Sequence, residues 1–194
     1  SNYYIGRLKD RIGNHEEALT IHQINTDFAE NHIDVIGDYL YLNSIFALAF
    51  THKNLKNLDS ASYYNNLGLK KAENIDLKRV KNYFLMNEGV VLYYKGNYSK
   101  AKENILVAND FFKESKVLPN ISEASFYLGK IEYDLNNKEK AVEYFKKVDT
   151  IFLKLNDLLP ELRENYIILS KYYKSHGDLR QQLLYTEKLN EIDS

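Results

Sequence analysis

Cysteine and tryptophan are absent from this chain of 194 residues, methionine occurs once, proline twice and glycine eight times. Without cysteine there are no disulfides, no thiolate metal sites and no cysteine nucleophile. The compartment stays open, because a cysteine-free chain suits both reducing and oxidising surroundings. Glycine and proline this sparse, and never alternating with short β-branched runs, exclude an all-β chain. No apolar run approaches the roughly 20 residues that a bilayer crossing needs. The longest near-apolar stretch, Ile45 to Phe50, is far shorter. Excess charge is missing too: 26 basic and 27 acidic residues are interspersed and sum to −1. No summed field draws the chain toward phosphates or anionic lipid, so direct nucleic-acid binding is not expected.

The motifs of chemistry are also wanting. There is no G-x-S-x-G elbow, phosphate-cradling glycine loop or dinucleotide fingerprint. Paired carboxylates such as Glu16-Glu17 are adjacent and diverge on a helix, which makes them a solvated face rather than an acid and base. The pair Lys146-Lys147 reads the same way. Of the five histidines, His15 and His22 are seven apart and could share a helix face. No H-E-x-x-H motif forms, His32 and His176 lie in or beside turns, and no carboxylate recurs at a ligand spacing. These histidines are read as solvated or capping. No metal, no cofactor and no enzymatic activity are expected.

What the chain has is repetition. Gly13 to Ala18, Lys56 to Ala61, Gly96 to Ala101, Asn136 to Ala141 and Gly177 to Gln182 are five copies of one turn, 40 to 43 residues apart. Around them stand IGRLKDRIGNHEEALTIHQ, LAFTHKNLKNLDSASYYNN, EGVVLYYKGNYSKAKENIL, LGKIEYDLNNKEKAVEYFK and LSKYYKSHGDLRQQLLYTE. Gly6, Ala49, Gly89, Gly129 and Ser170 are small where a helix A must admit its helix B, and Ala18, Ala61, Ala101 and Ala141 answer from helix B. Leu48, Leu128 and Leu169, with Ile5, precede the small residue and fill the groove. A glycine, asparagine or lysine ends helix A in the left-handed conformation.

This pattern resembles the tetratricopeptide repeat over essentially the whole chain. Departures are visible: Ile45, Leu85 and Tyr166 stand at the first large position, where the family has tryptophan, and no proline closes each repeat. Gln182 replaces the helix-B alanine of the last copy. The period exceeds the usual ~34, which lengthens both helices by a turn or less. Pro119 and Pro160 sit just before helix A of repeats four and five. The resemblance implies an all-α, right-handed α-α superhelix of about five helix pairs, about ten helices. It forms a single repeat domain, with repeats at approximately 1–35, 36–78, 79–118, 119–158 and 159–194.

In such a stack the A helices line the concave wall. Steps of three and four from the buried positions place Phe46 and Phe50 there in repeat two, and Tyr83, Met86, Val90, Tyr93 and Tyr94 in repeat three. Repeat four adds Glu123, Phe126, Lys130 and Tyr133, and repeat five Lys171. Aromatic residues with a methionine suit a surface that grips a protein or peptide. Against this, tyrosine is abundant everywhere, 17 in all, and many of these rings could simply pack between adjacent A helices. Helix B of the last copy carries Leu183, Leu184, Leu189 and Ile192 with no cap helix after it. Further chain, or a second copy forming a homodimer, is expected to cover them. The chain opens Ser1-Asn2 rather than with methionine and is read as a piece of a longer one.

The last 70 or so residues, through KVDTIF, PELRENY and EKLNEIDS, resemble the end of the repeat region in bacterial transcriptional regulators. Those regulators join tetratricopeptide repeats, a membrane-spanning helix and an AraC-type helix-turn-helix domain. The resemblance implies a sensory region on the far side of a membrane from the DNA, with the membrane tether outside this piece. Two alternatives are a passive assembly scaffold and a regulator resembling the peptide-controlled phosphatases of the same superfamily. The latter would need a helical bundle in front of the repeats.

Overall fold

The computed structural model describes residues 2–75, 77–155 and 161–193, and among these it contains ten helices and no strand. In chain order they are α1 (Asn2–Arg11), α2 (His15–Asn31), α3 (Ile33–Asn54), α4 (Leu58–Asn74), α5 (Lys78–Tyr94), α6 (Tyr98–Glu114), α7 (Leu118–Asp134), α8 (Lys138–Leu155), α9 (Leu162–Ser175) and α10 (Leu179–Asp193). Odd numbers are the A helices and even numbers the B helices of the five repeats. Pro119 lies in the first turn of α7 rather than ahead of it, where its missing N–H costs nothing. Pro160 lies outside the described residues.

Each A-to-B turn is built alike. Gly13, Lys56, Gly96, Asn136 and Gly177 take the left-handed conformation foreseen for them, with φ of 81°, 62°, 77°, 63° and 72°. The next residue's N–H then reaches back five residues: Asn14 to the Lys9 carbonyl, Asn57 to His52, Asn97 to Leu92, Asn137 to Glu132 and Asp178 to Tyr173, all at 2.8 to 3.1 Å. That is the capping bond of a Schellman turn. The carbonyl of the same asparagine or aspartate accepts the N–H of Ala18, Ala61, Ala101, Ala141 or Gln182. One residue therefore closes helix A and opens helix B, which explains the fixed spacing of turn and small residue.

The small residues do the work expected of them. A Cβ added at Gly6, Gly89 or Gly129 would stand 2.5 to 2.7 Å from the His22, Ile105 or Phe145 side chain. These three partners occupy the same place, four residues after Ala18, Ala101 and Ala141, and all three are fully buried. In the fifth repeat this close approach becomes a hydrogen bond, with Ser170 and Thr186 hydroxyls 2.9 Å apart. Leu48, Leu128 and Leu169 are buried as the groove fillers they were read to be, but Ile5 is 49% exposed. It sits on α1, the first helix, where no preceding helix is described to cover it.

Contacts divide the chain into two compact units, residues 1–111 and 112–194. In the first, a core of Tyr41, Leu42, Ile45, Val80 and Phe84 joins α3 to α5, and Phe84 lies against Gly68 of α4. Helix α3 alone, among the described residues, is long and apolar enough by composition to cross a membrane, which the reading of short apolar runs overlooked. Gly37, at φ 77° and ψ 161°, breaks that helix after its first turn, and Leu42, Ile45, Ala47, Leu48 and Ala49 are spent on the core. In the second unit Phe145, Val148, Leu162, Tyr166, Leu169 and Tyr185 form the interior. Among the described residues of α10 Tyr185 is the buried one. Of the four apolar residues singled out there, Leu183 and Leu184 are 58% and 39% exposed while Leu189 and Ile192 are half-buried, and Leu179 at the helix start is 74% exposed.

Candidate functional site

In the first unit the structure brings Phe46, Phe50 and Tyr83 together. Phe46, half-buried on α3, lies 6.2 Å from Phe50, 5.8 Å from Tyr83 and 5.4 Å from Phe84 between ring centres. Two cations address the Phe50 ring: the Arg7 guanidinium at 5.2 Å from its centre and Lys53 Nζ at 4.3 Å. Arg79 lies 6.0 Å from the centre of Tyr83. Tyr93 and Tyr94 touch each other at 5.4 Å, Tyr93 meets Tyr98 at 5.7 Å, and Lys56 stands 3.4 Å over Tyr94. Cations over aromatic faces are favourable, the more so where water is partly excluded.

Met86, Val90 and Phe126 do not belong to a surface. Their exposures are 2%, 0% and 2%. The cause is that Met86 to Val91 of α5 and Ala124 to Gly129 of α7 are buried without a break. Six successive residues sweep the whole circumference of a helix, so mid-helix α5 and α7 have no open face for a periodic reading to find. Phe126 packs 6.0 Å from Phe145 instead.

The second unit's candidates are ionic. Lys130 bridges to Glu164 of α9 at 2.7 Å and lies 5.4 Å from the Phe126 ring centre. Tyr133 is half-buried with Lys138 at 6.0 Å, Glu123 is half-buried, and Lys171 is exposed on α9.

The histidine reading needs correction at three of its five positions, one of them His52, which is half-buried and stacked on Tyr64 at 5.5 Å between ring centres. His22 is fully buried and His15 half-buried, and both bind the Asp10 carboxylate, at 3.2 Å and 3.0 Å. Thr51 donates to the same carboxylate at 2.7 Å. Burial works to raise the Asp10 pKa, but the bonds from His22, Thr51 and His15 outweigh it and hold the group below its ordinary value. His32 and His176 are exposed at helix ends, as foreseen, each bonding a carbonyl one turn back at 2.8 Å.

Sequence reasoning missed two features. Arg7 follows the small residue Gly6 as Phe50 follows Ala49 and Lys130 follows Gly129, so register alone would have placed it on the inward face. A cavity of about 700 Å³ between α1, α2 and α3 is the other, lined by Tyr3, Tyr4, Ile24, Phe28, Tyr39 and Leu40 with Asn2, Asn25, Asn43 and Ser44.

Residues 123–150 match the family pattern of the tetratricopeptide repeat. No curated protein matches the chain. Among solved structures it is similar to a Rap protein complexed with Competence and Sporulation Factor, at TM-score 0.82 and 17% identity, covering 98% of this chain and 52% of that one. BtubC from P. vanneervenii superposes with TM-score 0.72 and 16% identity over 97% of this chain and 76% of its own. Kinesin light chain TPR-like repeats from Podosopora anserina give TM-score 0.67 and 14% identity over 99% and 92%. The fold is thus that of tetratricopeptide-like helical repeats.

Proposed function

We propose that this chain is a protein- or peptide-binding module that performs no chemistry of its own and works through the inward faces of its A helices. The observation that carries the reading is the half-buried cluster of Phe46, Phe50 and Tyr83 with cations on its rings. Large rings with a polar rim and an arginine are the groups from which interfaces build their strongest contacts. The similar Rap structure holds Competence and Sporulation Factor, which lends the reading support at the level of fold.

The finer reading is a sensory region of a bacterial transcriptional regulator with an AraC-type output domain and a membrane tether elsewhere in its chain. It draws on the resemblance of the last two repeats and on the open apolar stripe Leu179, Leu183 and Leu184, which suits further chain or a second copy. Reading the gene on either side of this segment tests it, and an absence of any DNA-binding or membrane-spanning segment there would sink it.

The binding face itself is tested by placing a photo-crosslinking amino acid at Phe50, at Tyr83 and, as control, at Val107, which is 53% exposed on α6. Adducts with cell extract at the first two positions and not the third are expected. Equal labelling at all three, or none at positions 50 and 83, refutes the assignment.

A further inference from the structure

The first unit contains two matched places that are filled differently. In the later one, Phe84 of α5, five residues before Gly89, lies directly on Gly68 of α4, seven residues after Ala61, and belongs to the core. In the earlier one the same two positions hold Ser44, five before Ala49, and Asn25, seven after Ala18. A phenyl ring is thus exchanged for a hydroxymethyl group, and both residues line the cavity of about 700 Å³ between α1, α2 and α3. The two polar residues do not complete each other. Ser44 Oγ donates to the Tyr41 carbonyl at 2.7 Å, and the buried Asn25 Nδ2 has no hydrogen-bond partner among the described residues. An amide nitrogen left so is costly, and it marks a place for an acceptor. The rest of the wall is apolar, with Ile24, Phe28 and Leu40 exposed on α2 and α3. None of the described lining residues is charged. A hollow of this size, apolar with a few convergent polar groups, is what small ligands occupy.

We infer that this cavity is a binding site for a small neutral aromatic molecule, whose ring lies against Ile24, Phe28 and Leu40 and whose carbonyl oxygen accepts a hydrogen bond from the Asn25 amide. Asn25 needs only a turn about its last side-chain bond, which is soft, to bring Nδ2 round to the ligand. Phe28 is a fixed part of the wall, since its ring stacks on His32 at 4.2 Å and 19°. An aromatic ligand gains by burying its area there and by offset or edge contact with the ring. A charged ligand would leave water with no opposite charge in the described lining to answer it. Phe46, Phe50 and Tyr83 are not among those lining residues, so the inference does not rest on peptide binding by the inward faces.

Three probes of nearly one shape test it on the whole chain: 2-acetylnaphthalene, neutral with an acceptor, 2-isopropylnaphthalene, neutral without one, and 2-naphthoate, charged. Titrations followed by ligand-observed NMR give their affinities. The ratio of acetyl to isopropyl affinity should fall about fivefold in Asn25→Leu, which removes the donor at nearly constant volume. Naphthoate should bind the wild type about tenfold more weakly than the acetyl probe. Ser44→Phe, which restores the ring found at Phe84, should abolish binding of all three. Circular dichroism identifies any variant that fails to fold. Asn25→Asp then replaces Asn25→Leu, with the same fall in ratio expected, and Leu40→Asp, at an exposed position, replaces Ser44→Phe and should weaken the acetyl probe about tenfold. A ratio unchanged by loss of the Asn25 donor overturns the inference, because the cavity then accepts any apolar filler, a helical turn included. Naphthoate binding tightest, affinities indifferent to the change at position 44 or 40, or no binding of any probe up to its solubility limit overturns it as well. None of these results bears on crosslinking at Phe50 and Tyr83, so the two proposals fail separately.

Discussion

The two units use the same helix-pair geometry but spend their charges differently. In the first, the buried acids are satisfied by neutral or imidazole donors: Asp10 by His15, His22 and Thr51, and Glu88 by Ser62 and Asn65. Its inward cations, Arg7, Lys53 and Lys56, lie over aromatic rings. Its ion pairs, Lys9 with Glu17, Lys81 with Glu73 and Lys95 with Asp59, lie toward the surface, whereas in the second a lysine also reaches a largely shielded carboxylate. Lys188 bonds both oxygens of Asp149 at 2.7 Å, Tyr166 donates to the same carboxylate at 2.6 Å, Lys140 reaches Glu132 at 3.1 Å and Lys130 reaches Glu164. The first unit thus sets cations over aromatic rings, whereas the second ties α8, α9 and α10 to one another through the Asp149 carboxylate. Cation-ring stacking and shielded ionic fastening are weighted differently in the two units, although the helix-pair turns are built alike.

The largest test of this division is Asp10→Ala. It strands the bonding groups of two histidines and Thr51 inside the first unit, and removing one side of such a buried network costs about 3 kcal/mol or more. Urea unfolding followed by circular dichroism, with hydrogen exchange to locate the change, should show the loss in residues 1–111 and little in 112–194. The wild type should also weaken in acid for the same reason. The Asp10 pKa is depressed in the folded chain, so its contribution is present above the ordinary value of 3.8 and is lost as pH falls below it. The Asp10→Ala variant should lack that part of the acid slope. A variant with the same acid slope as the wild type would show that the carboxylate is not what holds these helices.

In the second unit, Lys188→Met leaves Asp149 with Tyr166 alone and should cost about 2 kcal/mol, since both partners are largely shielded from water. Burial first, then the charge of Asp149, pushes Tyr185 up to about 12, and burial with the Asp149 bond pushes Tyr166 up as well. Raised tyrosines favour folding fully below the ordinary value of 10 and cease to do so as pH climbs through their folded values. Ultraviolet absorbance of phenolate should therefore show a late group of tyrosines that ionise together with loss of helix. Smooth ionisation of all tyrosines before unfolding would refute the fastening.

The left-handed turns and the small residues at Gly6, Gly89 and Gly129 were legible because each is a local demand of backbone or contact distance, repeated five times or nearly so. The candidate face was legible only in part. Phe46, Phe50 and Tyr83 lie where helical steps put them, but Met86, Val90 and Phe126 do not, because whether a residue on a helix is covered depends on neighbours that its own periodicity cannot reveal. The histidines failed for a related reason: the partner of His22 is Asp10 on another helix, and the third member, Thr51, lies 41 residues beyond Asp10. Arg7 was overlooked because a lone arginine carries no motif. Its meaning comes from a ring on α3 and from a nitrogen with nothing to bond.

Glycine substitutions compare the units at matched positions. Gly6→Ala and Gly129→Ala each gain about 1 kcal/mol of helix propensity and lose about 1–3 kcal/mol by overpacking, because the new Cβ would stand 2.5 Å from His22 or 2.7 Å from the Phe145 ring. A net loss of about 1 kcal/mol is expected for Gly129→Ala. Gly6→Ala should lose more, because a displaced His22 also gives up its bond to Asp10. Equal losses would mean that the imidazole moves without disturbing the carboxylate.

The smallest effect sharpens the comparison from the other side. Lys130 and Glu164 link α7 to α9 at 2.7 Å, yet the Glu164 side chain is 52% exposed. A pair this wet gains little, since Coulomb attraction is screened and two long side chains must be held still, so Glu164→Gln should change stability by less than about 0.5 kcal/mol. Urea unfolding at low and at high salt should show that small difference shrinking as salt is raised, because the pair is exposed to screening ions. A loss near that of Lys188→Met, unchanged by salt, would mean that this wet pair fastens the second unit as firmly as the shielded Asp149 links do, and the contrast between exposed and shielded charges would fall.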